Sequence, residues 1–311
     1  MSATTLQGRR SNPPLTRSQI ALVAALLGFA ALGWAVTDVR MRGMDAGPGT
    51  DLGALGFYAT SWVVMMAAMM FPSIVPMVLG YSRVERGMRT RRGEGSSVAF
   101  VAVYVLIWAL FGVLAYGLFD LVKAMSIDPL RWDRAGKFVA GGVIVLAAAY
   151  QLTPAKDACL RRCRDPFTFL ADEWRDGRAG ALKMGALHGA WCTGCCWALM
   201  AALFALGVMS VGWMVFLAAI IAVEKLVPWR RTAVHAATIA LLALGLGVVL
   251  VPGRVPGLTL PNSAAARHAM QSMHMATPGH HDQSMAGKSM QSMQSMHTAM
   301  PRQRDQSMAG K

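Results

Sequence analysis

The chain has 311 residues, 55% of them hydrophobic and only 15% charged, a composition far from that of a soluble globular domain. Its formal charge of +14 would suggest a nucleic-acid partner in a soluble protein, but the basic residues sit between apolar stretches, where membrane topology accounts for them without nucleic acid. The expected fold class is all-α: a polytopic membrane helix bundle of about seven transmembrane helices with a disordered C-terminal tail.

Residues 1–18 form a basic arm holding Arg9, Arg10 and Arg17. The first span, 19–38, ends in Thr37-Asp38-Val39-Arg40 without a small-residue cleavage site, so it reads as a retained helix rather than a signal peptide. The second, 54–80, contains SWVVMMAAMMFPSIVP. There Met65 and Met69 are four apart, as are Met66 and Met70, and Met66 and Met69 are three apart, which makes a broad thioether face on a helix. Pro72 and Pro76 follow, and their missing N–H groups predict a kink that frees carbonyls.

Spans three and four cover 97–122 and 136–152. The basic segment after them carries Cys159 and Cys163 among Arg161, Arg162 and Arg164. These read either as loop thiols that receive or pass on metal, with neighbouring positive charge favouring the thiolate, or as reduced loop thiols whose arginines serve topology. The fifth span, 184–209, contains HGAWCTGCCWALM. At helical spacing His188, Cys192, Cys196 and Met200 form one stripe with Cys195 beside it, and Gly185, Gly189 and Gly194 allow a partner backbone to approach.

The sixth span, 211–227, is short and tightly joined to the fifth, so the two are either separate helices, one interrupted element or a re-entrant hairpin. Glu224 and Lys225 end it before Pro228 and Trp229 and read as an ion pair at the membrane interface; Trp34 and Trp229 suit interfacial anchoring. The seventh covers 233–251. Counting Lys and Arg gives eighteen on the side of the N-terminal arm and six in the short opposite loops. The positive-inside rule then expects a bacterial inner (plasma) membrane protein with a cytoplasmic N-terminus and a periplasmic tail.

Residues 252–311 make up that tail. From Asn262 onward it holds nine of the 23 Met and five of the seven His and no Cys, with Asp-Gln-Ser-Met-Ala-Gly-Lys occurring twice and Gln-Ser-Met five times. With so few side chains to bury it is expected to be disordered when unliganded. His268, Met270, Met273, His274, Met275, His280 and His281 are spaced so that thioethers and imidazoles can wrap a soft metal ion, and thioethers need no deprotonation. The plain alternative is a low-complexity spacer grown by duplication.

Counting inward from opposite faces, Met65–Met70 and Cys192–Cys196 both fall near the bilayer middle, so the second and fifth spans are expected to present sulfur to each other. Singly, each residue has an ordinary reading: Met fills gaps, Cys behaves as a small hydrophobe and a lone His satisfies a hydrogen bond. Together they point to a metal site. One thiolate with Cu(I) and neutral ligands is uncharged, which suits hydrocarbon, whereas a divalent ion needs two thiolates; Cu(I) is therefore expected, with zinc as the alternative.

At MMAAMMFPS, CTGCCWALM and AVEKLVPW the sequence resembles the bacterial predicted metal-binding integral membrane proteins known as domain of unknown function 2182, over roughly Leu52 to Trp229. The resemblance marks Met65, Met66, Met69, Met70, Pro72, Cys192, Cys195, Cys196, Met200, Glu224 and Lys225. It implies copper delivery during maturation of secreted copper enzymes, and hence a copper-requiring client protein beside the lipid bilayer and the metal ion as partners. The expected function is that of a membrane copper chaperone without enzymatic activity. The competing readings are a membrane thiol oxidoreductase using Cys192, Cys195 and Cys196, and a passive metal permease.

Overall fold

The computed structural model describes residues 16–42, 52–87, 96–125, 135–175 and 177–260, with Asp45, Gly47 and a few positions between Ser263 and Gln271. Among these residues the regular structure is all helical: α1 (Arg17–Met41), α2 (Leu55–Gly87), α3 (Ser96–Ala124), α4 (Lys137–Gln151), α5 (Pro154–Arg164), α6 (Pro166–Glu173), α7 (Gly177–Leu206), α8 (Val211–Leu226) and α9 (Arg230–Leu250), then a 3-10 turn at Pro252–Arg254. Helices α1, α2, α3, α7 and α9 are each long and apolar enough to cross a membrane. Helices α4 and α5 pass that test only as a pair bent by 67°, which would make six.

The expectation of seven spans therefore holds only for the long helices. Helix α4 has 15 residues and α8 has 16, each about 23 Å long at 1.5 Å per residue and short of a hydrocarbon core about 30 Å thick. Helices α7 and α8 are separate, joined by a tight turn in which Gly207 adopts φ +113°, a conformation that glycine takes without strain.

Neighbouring helices pack through small residues that admit a backbone. A Cβ at Gly185 would lie 2.5 Å from the Phe100 carbonyl oxygen of α3, and one at Gly141 of α4 would lie 2.9 Å from the Gly245 carbonyl oxygen of α9. Buried polar contacts add registration: the Gln19 amide of α1 donates to Ser82 Oγ at 3.2 Å, and the Trp62 indole donates to the Trp108 carbonyl at 2.9 Å. In α2 the helix runs on through Pro72 and Pro76, and the Ser73 hydroxyl donates to the Met70 carbonyl at 2.8 Å.

The segment after span four is not a loop. Thr153 accepts a hydrogen bond from the Lys156 N–H with Pro154 in the first turn, and Asp165 accepts from the N–H groups of Phe167 and Thr168 with Pro166 in the first turn. Two capped helix starts in succession fold α5 and α6 into an elbow against the bundle. The Tyr150 hydroxyl, at the end of α4, donates to the Gly194 carbonyl at 2.7 Å, so α4 stops halfway along α7 and α5 crosses there. At the opposite end, residues 252–260 pack over the α7–α8 turn, with the Thr259 hydroxyl donating to Asp45 at 3.1 Å.

Candidate metal centre

Three thiols converge where α5 crosses α7. The Sγ atoms of Cys163, Cys192 and Cys195 all lie within 4.8 Å of one another, and all three residues are buried. Cys195 Sγ is 3.9 Å from Cys163 Sγ and 3.4 Å from Cys196 Sγ, and it also donates to the Cys192 carbonyl at 3.1 Å. Metal–thiolate bonds of about 2.3 Å place ligand sulfurs roughly 4 Å apart, so the triad is spaced like a ligand set.

Lys225, at the end of α8, brings its ammonium to 2.9 Å from Cys192 Sγ and 3.5 Å from Ser73 Oγ of α2. The Tyr104 hydroxyl of α3 shares a 3.1 Å hydrogen bond with the same sulfur. Cys192 is thus held by groups from two further helices, one of them cationic. The expected Glu224–Lys225 pairing does not form. Adjacent helical positions point about 100° apart, and Glu224 instead accepts from Lys156 of α5 at 2.7 Å, with both side chains almost fully buried. Arg164, next to Cys163, donates to the carbonyls of Glu224 and Val227, which ties the end of α5 to the end of α8.

The other residues expected here distribute as follows. His188 sits in a box of Phe100, Tyr104 and Phe169, with ring centroids 5.9, 5.7 and 5.6 Å away. Its buried Nδ1 makes no hydrogen bond, and it lies outside the three-thiol group. Met65, Met66, Met69, Met70 and Met200 are buried in the same core cluster as the cysteines. The expected direct pairing of the second and fifth spans is modified, because the backbone of α7 packs mainly on α3, α4 and α5. Helix α2 meets it through side chains, as where the Trp62 and Phe204 rings lie 5.7 Å apart. Gly185 and Gly189 accordingly face Phe100 and Ile107 of α3, and Gly194 faces Cys159 of α5.

In the tail, His268 is exposed on a short helical stretch; Met270, Met273, His274, Met275, His280 and His281 lie outside the described residues. Sequence reasoning passed over Tyr104 and Ser73, which carry no metal-ligand signature, and left Cys163 in a loop. The signal for Cys163 was its position four residues after Cys159, inside a segment that opens with Thr-Pro.

A model of the PpoB2 family, described as copper chaperone, matches residues 59–248, a stretch from the first turns of α2 to the last of α9 that contains every residue of the centre. No curated protein and no solved structure matches the chain. With more than half of its length inside the match, the chain belongs to the PpoB2 copper chaperone family.

Proposed function

We propose that the protein is a membrane-embedded carrier that holds Cu(I) at Cys163, Cys192 and Cys195 and passes it to copper-requiring proteins on the far side of a bacterial inner membrane. The observation that carries this reading is the convergence of three buried thiol sulfurs within 4.8 Å of one another, with an ammonium on one of them. Soft thiolates select Cu(I) among the available ions. Cu(I) held by two of the thiolates, with the third cysteine remaining a neutral thiol, carries one negative charge, and Lys225 cancels it, which removes most of the cost of burying the unit. Zinc is served less well: its preferred tetrahedral set needs a fourth ligand, and Cys196, although 3.4 Å from Cys195, is outside the mutual group.

The remaining sulfur extends the site. Along α7, Met200 lies two turns beyond Cys192, and on α2 Met69 and Met70 lie one turn from Ser73, with Met65 and Met66 another turn away. These neutral ligands favour Cu(I) over divalent ions and give the metal successive stops on the side away from α5. The cationic elbow and the N-terminal arm face the cytoplasm under the positive-inside rule, and the Met/His tail gathers or releases copper on the other side. No bond of a substrate is made or broken, so this is not an enzyme.

The protein purified in detergent under reducing conditions and loaded with Cu(I) is expected to retain about one tightly held copper per chain at the thiol site. That copper should be lost in the Cys163→Ser, Cys192→Ser, Cys195→Ser triple variant. Undiminished copper in the triple variant would overturn the assignment. The 3.9 Å approach of Cys163 to Cys195 favours one other reading, a dithiol–disulfide couple; reversible thiol oxidation in a protein that binds no copper would decide for it.

A further inference from the structure

One thiol near the centre is unaccounted for. Cys159 lies one helical turn before Cys163 on α5, so both point from α5 toward α7. Its Sγ would lie 2.9 Å from a Cβ at position 194, so the glycine lets the sulfur settle against α7, between Cys192 and Cys195 in sequence, without shifting. The Tyr150 hydroxyl fixes that stretch by its bond to the Gly194 carbonyl. The difference from the triad is access. Cys163, Cys192 and Cys195 are buried, whereas Cys159 is partly exposed.

The surroundings of Cys159 are cationic. On α5, Arg161 and Arg162 are the exposed cations, with Asp157 and Glu173 as their counter-charges, whereas Lys156 is buried on Glu224 and Arg164 is bound to backbone carbonyls. Beside them a groove of about 900 Å³ is lined by Arg161, Arg162, Arg164 and Arg230, against Asp165 and Asp172. Arg162, three residues after Cys159, lays its guanidinium 5.0 Å from the Trp191 ring centroid, next in sequence to Cys192. A donor that brings metal to this face meets positive charge first and an accessible thiol next.

We infer that Cys159 is the port of the metal site, a transient ligand through which Cu(I) is exchanged between the buried triad and an anionic thiol donor arriving at the α5 face. This rests on the Cu(I) reading above. Each step is a ligand exchange without change of oxidation state. A Cu–S bond to Cys159 forms as the Cu–S bond to the donor breaks, and the Cys159 proton passes to the departing donor sulfur. A Cu–S bond to Cys163 or Cys195 then replaces the one to Cys159, whose sulfur takes back the proton that the new ligand gives up. The donor is identified by chemistry alone: a thiolate with net negative charge.

The test uses the full-length protein in detergent and Cu(I) supplied as its glutathione complex, following near-ultraviolet Cu(I)–thiolate absorption and measuring copper per chain after desalting. Cys159→Ser is expected to reach the wild-type copper content at a rate lower by about tenfold or more, and the wild-type rate should fall as salt rises. Equal rates for the two proteins would overturn the port while leaving the triad intact. A Cys159→Ser protein that binds less copper at the end point would also overturn it, by making Cys159 a resident ligand. If the wild-type chain takes up no copper, the Cu(I) reading itself fails, and the port with it.

Discussion

Lys225 gives its buried ammonium a sulfur at 2.9 Å and a hydroxyl at 3.5 Å as hydrogen-bond acceptors, and this would make it the outer partner of the proposed metal site. Partners of that kind typically contribute a factor of about 10–100 to metal affinity. Lys225→Met is therefore expected to weaken Cu(I) binding by about that factor in competition with a chromogenic chelator, with the ligands themselves untouched. Lys225→Arg should not restore it, since a planar guanidinium does not replace a compact ammonium in a closed site. His188 makes a contrasting case: boxed by Phe100, Tyr104 and Phe169, it is expected to tolerate His188→Gln with little change in copper content, and loss of copper in that variant would show it to be a ligand. At this scale Cys192 and Cys195 were legible, because helical spacing put them on one side of α7. Tyr104 and Cys163 were not, because their roles arise from packing between segments far apart in the chain.

Helix α5 is where local chemistry and long-range packing meet. Its N-cap and prolines were visible as Thr153-Pro154 and Asp165-Pro166, yet the density of arginines outweighed them in a hydropathy reading and turned a helix into a loop. The Lys156–Glu224 pair, 2.7 Å long and buried, joins that charged helix to α8. Removing one partner of such a pair costs about 3–5 kcal/mol because the other charge is left alone. Lys156→Met should thus lower the thermal stability of the detergent-solubilised protein by about that amount, and Lys156→Met with Glu224→Leu should recover most of it. If the double variant is no more stable than the single one, the pair is not what joins α5 to α8. The close helix contacts were also readable as an idea but not as an assignment: the glycines of α7 signalled near approach, and only the fold shows that α3 and α5 fill the places expected for α2. Gly185→Ala puts a methyl 2.5 Å from the Phe100 carbonyl oxygen and is expected to destabilise the α3–α7 contact by about 1–3 kcal/mol, measured by thermal unfolding.

Across the whole molecule, the sulfur centre and the end of α9 from which the chain continues toward residue 260 lie at different places along the bundle. The elbow roofs the centre, whereas the chain leaves α9 at the other end, where residues 252–260 pack over the α7–α8 turn. Truncation after Pro261 is accordingly expected to leave copper at the triad unchanged while removing any additional, weaker copper, as read by metal analysis at increasing chelator concentration. The long helices were legible because runs of apolar residues are set by membrane thickness. The half-length ones were not, because a 15-residue helix that ends on a neighbour's midpoint has the same hydropathy as a clipped span.

Those two half-length helices have a consequence for the lipid. Helices α4 and α8 both end in polar groups near the middle of α7, so on that flank the apolar wall is about 23 Å high rather than about 30 Å. A bilayer meeting so low a wall must dip or bring water inward, at a modest energetic cost for each ångström of mismatch. Copper handling by the reconstituted protein should therefore depend on acyl-chain length, with longer chains pressing on the elbow and slowing exchange, and the bilayer itself would become part of the barrier that guards the ion.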